Sequence, residues 1–334
     1  MKKLFLFMLL LGVFLSSCIE EPDIQANTNE GNFEALWSII DKKYCYLEYK
    51  NINWDSIHTA YKNKVDNKSG YLEFYNLMAD MLAELKDGHV NLYTGFAVSS
   101  YKKWYTDYPS NFSSDLVYSE RYLGNKHYSV SGLRYGKISN NIGYIYYSDF
   151  SNCFSDTNMS YIFNYFKDCK GLIIDVRNNG GGYLDLSEQF ASYFFDKATI
   201  TGYMQHKTGE GPTDFSKPQE IKTPAHKSLQ WQLPVVVLTN RMSYSATNAF
   251  VVRMKMAPKA TIVGDKTGGG GGLPFSSEIP NGWMVRFSAS PMYDAQMQHT
   301  EWGIDPDIKV DLNAADKENG YDTIIEKAID VLNK

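Results

Sequence analysis

Cysteine is scarce, with four in 334 residues, and none stands in Cys-x-x-Cys spacing, so neither a zinc ribbon nor a dithiol redox site is expected. Basic clusters are missing too. With 33 Lys and Arg against 38 Asp and Glu and a net charge of −5, the chain lacks the cationic surface that displaces counterions from nucleic acid, and no nucleic-acid partner is expected. No Gly-Lys-Ser/Thr follows a glycine-rich turn and Gly-x-Gly-x-x-Gly spacing is absent, which excludes the common nucleotide cradles. No residues show metal-ligand spacing, so the reading is of a protein with no metal and no cofactor. The apolar run from Leu4 to Leu15 is too short for a mature membrane-spanning helix.

That run, preceded by Met1-Lys2-Lys3, has the pattern of a secretory leader, so export is expected. Leu15-Ser16-Ser17-Cys18 resembles the bacterial lipobox, in which small residues precede a cysteine that is acylated and becomes the new N-terminus. Residues 1–17 are then the signal peptide and Cys18 the lipidation site that holds the chain to a membrane. Glu20 and Glu21 resemble surface-export signals of some Gram-negative lipoproteins, which implies a cell-envelope lipoprotein of the outer membrane facing outward. Residues 18–32, with Pro, Gly and several Asn, read as a disordered tether. Cys45, Cys153 and Cys169 remain, an odd number that cannot all pair internally. Free buried thiols are one expectation and a Cys153–Cys169 bridge the alternative.

Phe33, Trp37, Ile40 and Tyr44 recur at helical spacing, as do Phe74, Leu77, Met78, Met81, Leu82 and Leu85, predicting a small helical module over 33–95. The second helix is expected to end with Gly88 in a left-handed C′ position, before a strand from His89 to Tyr93. Residues 96–135 read as a connecting segment with short strands. From 136 onward the pattern alternates. Ile142 to Tyr147 is a strand, Met159, Ile162, Phe163 and Phe166 mark one face of a helix, and Gly171 to Arg177 is a mostly apolar strand. Asn178-Asn179-Gly180-Gly181-Gly182 follows, then a helix through Leu186 and Phe190. Pro234 to Thr239, Asn240 to Tyr244 and a helix from Ser245 repeat the strand, turn and helix unit. Thr261 to Gly264 is a further strand, Asn281-Gly282 signals a hairpin, and Thr323 to Leu332 is an amphipathic helix. This alternation argues an α/β fold, with the catalytic domain over 136–334.

Ser245 opens a helix directly after a buried strand, the edge where α/β proteins place ligands. The N–H of Ala246 could hold an oxyanion there. Ser is also a favoured N-cap, and Tyr-Ser-Ala lacks the Gly-x-Ser-x-Gly elbow, so the local sequence leaves both readings open. Three consecutive glycines after Asn179 allow the backbone to approach a substrate closely.

Asp175-Val176-Arg177-Asn178-Asn179-Gly180-Gly181-Gly182 resembles the Asp-Leu-Arg-x-Asn-x-Gly-Gly signature of the tail-specific and tricorn-type serine peptidases. Asn240-Arg241-Met242-Ser243-Tyr244-Ser245-Ala246 is similar to their nucleophile segment, Leu85-Lys86-Asp87-Gly88-His89 to their histidine segment, and Gly303-Ile304-Asp305-Pro306-Asp307 to their closing element. The resemblance implies a crotonase/ClpP-like ββα superhelical domain. It also implies a serine-type peptidase acting on peptides or unfolded proteins. The serine–lysine branch carries a lysine at about Gly270, where this chain has five glycines, Gly268 to Gly272. The resemblance therefore points to the tricorn-like Ser-His-Glu branch. Its assignments are Ser245 as nucleophile, His89 as base and Glu301 as the carboxylate orienting the imidazole, with the N–H groups of Gly181 and Ala246 as oxyanion hole.

Two departures touch this reading: Gly88 stands where that branch often has Ser, and Asn248 where many relatives have Glu. They keep a second reading open, a catalytically inactive lipoprotein that binds peptides or glycans. His299 is the rival base by proximity to Glu301, and His58, His127, His206 and His226 read as surface or core residues. Many relatives insert a PDZ domain after the histidine segment, and Asn91 to Tyr135 is too short for one. The five glycines read as a mobile gate beside the site, or else as a loose hairpin loop.

Overall fold

The computed structural model describes residues 25–334. The leader, Cys18 and the first part of the tether lie outside the described residues. The expected tether ends sooner than its composition suggests. Helix α1 spans Asn29–Lys43, its N-terminus capped by the Thr28 side chain, which accepts from the Gly31 N–H, and Gly31 and Asn32 are already buried. A polar stretch with a good N-cap and a packed first turn is helix, whatever its mean hydropathy.

Helix α2 (Trp54–Lys62) was not legible because it buries only Trp54; α3 (Tyr71–Ala83) carries the expected apolar face of Phe74, Met78, Met81 and Leu82. At its end the left-handed residue is Lys86, with φ 49°, and not Gly88. Glycine is required at 88 for another reason: a Cβ there would lie 2.6 Å from Trp104 Nε1 and 2.8 Å from the Tyr244 hydroxyl. Strand β1 (Asn91–Tyr93) follows, and the connecting segment forms short helices α4 (Lys103–Thr106) and α5 (Ser114–Val117) and a strand, β2 (Tyr128–Val130).

Strands β3 (Leu133–Ile138) and β4 (Ile142–Tyr147), helix α6 (Asp156–Tyr165), β5 (Leu172–Asp175), α7 (Leu184–Ser192), β6 (Thr199–Met204), β7 (Gln219–Thr223), β8 (Val235–Thr239), α8 (Ala246–Met254) and β9 (Ala260–Gly264) then alternate. The hairpin β10 (Gly272–Glu278) and β11 (Met284–Asp294), β12 (Ile308–Lys309), α9 (Ala314–Glu318) and α10 (Thr323–Leu332) complete the chain. The α/β expectation holds. One sheet runs β12-β9-β8-β5-β4-β3-β2, and a second runs β1-β11-β6-β7 with β10 beside β11. Strands β4, β5, β8, β9 and β12 are parallel, and β5 and β8 are buried throughout, as strands covered on both faces must be.

The helical module is not a separate body. Its Phe33, Leu36, Met78 and Leu82 share a core with Ile279, Trp283, Val285 and Phe287 of the β10–β11 hairpin, and Asn91 pairs with Arg286 across β1 and β11. His89, which lies between α3 and β1, is thereby carried to the second half of the chain. Among the described residues the three cysteines are free, Cys45 and Cys169 buried and Cys153 exposed, so the Cys153–Cys169 bridge is not formed.

Candidate active site

The Asp-Val-Arg segment anchors the glycine turn. Arg177 is fully buried and bonds both carboxylate oxygens of Asp175 and of Asp322, with contacts of 2.6 and 2.9 Å, so the strand end and the start of α10 are fixed by one guanidinium. Asn178 and Asn240 bind each other through backbone N–H and side-chain amides at 3.0 and 2.8 Å. The Ser243 hydroxyl donates to Val176 O at 2.8 Å. The two strand-to-helix turns are thus bolted together, and the motif's polar residues have structural partners.

On that frame the Ser245 backbone is strained. Its φ of 58° and ψ of −120° lie in a region that L residues rarely occupy. Its N–H donates to Gly269 O at 2.9 Å, and its side chain makes no capping bond to the helix. The hydroxyl instead meets His89: Oγ to Nε2 is 2.9 Å. The sharp presentation of the seryl oxygen is an elbow in geometry without the elbow's sequence. Ser245 stands at the N-cap position of α8, but its side chain turns to the histidine and does not cap the helix. His299, the alternative base, stacks on Tyr49 with ring centroids 3.8 Å apart.

His89 is buried, with 3% exposure. Its backbone N–H donates to Asp87 Oδ1 at 2.7 Å, and its ring packs 5.0 Å from that of Tyr244, which stacks on Trp104 at 4.0 Å. Burial holds the imidazole down at about 4, against the pull of Asp87 in the other direction, so the ring is neutral and able to accept a proton.

Glu301 does not take the expected place. Among the described residues no carboxylate bonds His89 Nδ1, and the Gly272 backbone is the polar group that favours the charged ring there. Glu301 Oε1 meets Lys50 Nζ at 2.6 Å, and Oε2 accepts the Gly271 N–H at 3.0 Å. The carboxylate beside the histidine is Asp87, whose Oδ2 accepts from Tyr44 and Ser288 hydroxyls, each at 2.9 Å, with Lys50 Nζ at 3.7 Å. Two buried carboxyls share one ammonium and titrate apart. Burial and the neighbouring Asp87 push Glu301 up to about 8, whereas the positive charge of Lys50 holds Asp87 low despite burial. Lys50 was not anticipated, because a lone lysine in a tyrosine-rich stretch carries no periodic signal.

The oxyanion expectation is also revised. The Gly181 N–H donates to Asn179 Oδ1 at 3.0 Å, and that oxygen also accepts from Thr247 at 2.6 Å. Gly181 serves by lacking a Cβ, which would lie 2.9 Å from Ala246 N and from Ser245 Cβ. Among the described residues the N–H groups of Gly182 and Ala246 donate to no protein acceptor.

The five glycines are neither gate nor loose loop. Gly269 to Gly272 are buried, and a Cβ at Gly269, Gly271 or Gly272 would overlap Glu301 O, Thr300 Oγ1 or Ser288 Cβ. At Gly270 it would lie 2.5 Å from Tyr244 Cζ, so Tyr244 occupies the space that a lysine would need. Asn248 is equally committed, bonding Thr300 O at 3.1 Å and the Thr267 hydroxyl at 2.6 Å.

With this geometry in view, the sequence profile of peptidase family S41 matches residues 141–310. The chain belongs to peptidase family S41. A second profile, the Tricorn protease C1 domain, matches residues 25–83, the helical module of this S41 peptidase. A candidate peptidase from Parabacteroides merdae is 46% identical, with a TM-score of 0.88 over 92% of this chain and 97% of that one. A protein of Staphylococcus epidermidis described as a probable CtpA-like serine protease is 28% identical over 54% of this chain. This S41 peptidase spans about a third of that relative's length, 36%. Mature CPAF shares the fold at 13% identity and a TM-score of 0.66, over 91% of this chain and 96% of that one. By family the chain is of the serine-peptidase class of hydrolases.

Proposed function

We propose that this S41 peptidase hydrolyses peptide bonds in peptides or unfolded proteins through an acyl-enzyme on Ser245. The observation that carries the reading is the 2.9 Å contact between Ser245 Oγ and a neutral, buried His89. His89 Nε2 takes the seryl proton as Oγ attacks the carbonyl, then returns it to the leaving amine. Water repeats the cycle on the acyl-enzyme. The N–H groups of Ala246 and Gly182 are the donors left for the oxyanion, each worth about 10²–10³ in rate. Glu301 acts at a distance, through Lys50 and Gly271, and Asp87 is the charge that meets the imidazolium as it forms. The leader and the lipobox-like Cys18 support a place in the cell envelope, tethered to the outer membrane and facing outward.

A fluorophosphonate probe tests the chemistry. Wild-type protein is expected to be labelled, and the label to vanish in both Ser245→Ala and His89→Ala. A folded wild-type protein that takes no label would overturn the proposal, and labelling that survived in His89→Ala would remove His89 as base.

A further inference from the structure

Ser245 and His89 open onto a cavity of about 230 Å³. Its walls are largely apolar, with Leu184, Ile221, Val252 and Met292 among them, but two arginines, Arg253 and Arg286, line it and no Asp or Glu does. In a chain of net charge −5, a cavity whose only permanent charges are positive is a selective feature, since low-dielectric walls focus such a field.

Neither arginine is fully engaged by the fold. Arg286 has no carboxylate partner among the described residues, and its one side-chain bond is a long 3.5 Å contact to Asn91 Oδ1. Arg253 is 5% exposed. Its Nη1 donates to Ala249 O at 3.1 Å, Nη2 lies 3.5 Å from Glu188, and Nε is buried without a partner among the described residues. A buried donor left unpaired costs free energy that a ligand acceptor recovers. Ser245, just before α8, and Ala249, Val252 and Arg253 within it form one stripe along the cavity. The bond to Ala249 folds the Arg253 side chain back along that stripe, toward the nucleophile.

Resting on the peptidase reading, we propose that this cavity selects peptides bearing a carboxylate beside the scissile bond, held by Arg286 and Arg253 while the apolar wall takes the aliphatic part. A planar guanidinium matches a carboxylate with two parallel hydrogen bonds. Glutamate supplies both parts, two methylenes for the apolar lining and a carboxylate for the arginines.

Binding tests this without relying on turnover. In the full chain carrying Ser245→Ala, anisotropy of fluorescein-labelled octapeptides, all with amidated C-termini, is compared for Glu against Gln at each position around the expected cleavage point. One charge-assisted pair gives a preference of roughly 10-fold or more. The expected result is that preference for Glu over Gln at one position. In Ser245→Ala/Arg286→Gln it is expected to fall to about 1. Equal affinities for charged and neutral peptides, a preference unchanged by Arg286→Gln, or no peptide binding at all would overturn it. Arg253→Gln, being buried, is scored only alongside a folding check, and Arg286→Gln carries the decision. Loss of fluorophosphonate labelling in wild-type protein would sink the peptidase reading while leaving a measured carboxylate preference standing.

Discussion

The Ser245 backbone is held where its side chain is useful and its own conformational energy is high. Its φ of 58° and ψ of −120° carry a cost of about 1–3 kcal/mol for a non-glycine residue. Glycine has no such cost, although its looser unfolded state takes back about 0.5–1 kcal/mol. Ser245→Gly is therefore expected to be inactive yet more stable than Ser245→Ala by about 1 kcal/mol, read from urea denaturation midpoints at constant m-value. Equal stabilities would mean that the elbow holds no strain. The serine itself was legible, since a buried strand, a polar turn and an apolar helix surround it. Its strain was not, because the local sequence equally fits a relaxed N-cap.

Three elements meet in the Lys50, Asp87 and Glu301 cluster: the chain after α1, the turn after α3, and the segment before β12. The side chains of Lys50 and Glu301 are 2% exposed and that of Asp87 is fully buried, so removing the Lys50 ammonium strands the Asp87 carboxylate. Lys50→Met is expected to cost about 3–5 kcal/mol. Adding Asp87→Asn removes the stranded charge, and the double variant is expected to lose at least 1 kcal/mol less than the sum of the single losses. A double-mutant cycle by chemical denaturation reads this directly; strict additivity would show that the groups do not share one electrostatic site. At this scale the longer helices were legible from apolar spacing, apart from α2 with its single buried residue; the short helices α4, α5 and α9 were not, since four or five residues carry no period. The glycine run was misjudged because five glycines look flexible in isolation. In the fold each of Gly269 to Gly272 lies where a Cβ would collide with a neighbour.

For the whole molecule, the buried histidine makes stability depend on pH. His89 is held at about 4, below its ordinary 6.5, so between those values the unfolded chain binds the proton and the folded chain does not. Stability from this group is complete above pH 6.5 and falls as pH drops toward 4, by about 3 kcal/mol in all. The depressed carboxyl of Asp87 adds a loss at lower pH, as the folded form becomes protonated. Glu301, raised from its ordinary 4.5 to about 8, takes its proton in the folded chain first and offsets this slope, so the share of His89 is read as a difference: in unfolding measured from pH 7 to 4, Ser245→Ala is expected to lose about 3 kcal/mol more than His89→Gln/Ser245→Ala. Identical slopes would mean that His89 is not held neutral by the fold. By the same sign, the acid limb of kcat/KM belongs near pH 4.

By itself the sequence determined the leader pattern, the alternation of apolar strands with helices, and the motif residues that carry Ser245 and His89. Those features are local: each is a spacing or a turn whose physics is complete within a dozen residues. Only the tertiary structure decided what surrounds the imidazole. Lys50 and Glu301 are 251 positions apart and Ser245 and His89 156 apart. The direction in which a buried carboxylate points is set by the donors that packing brings to it. Glu301 found Lys50 and the Gly271 N–H, and Asp87 was left beside the histidine.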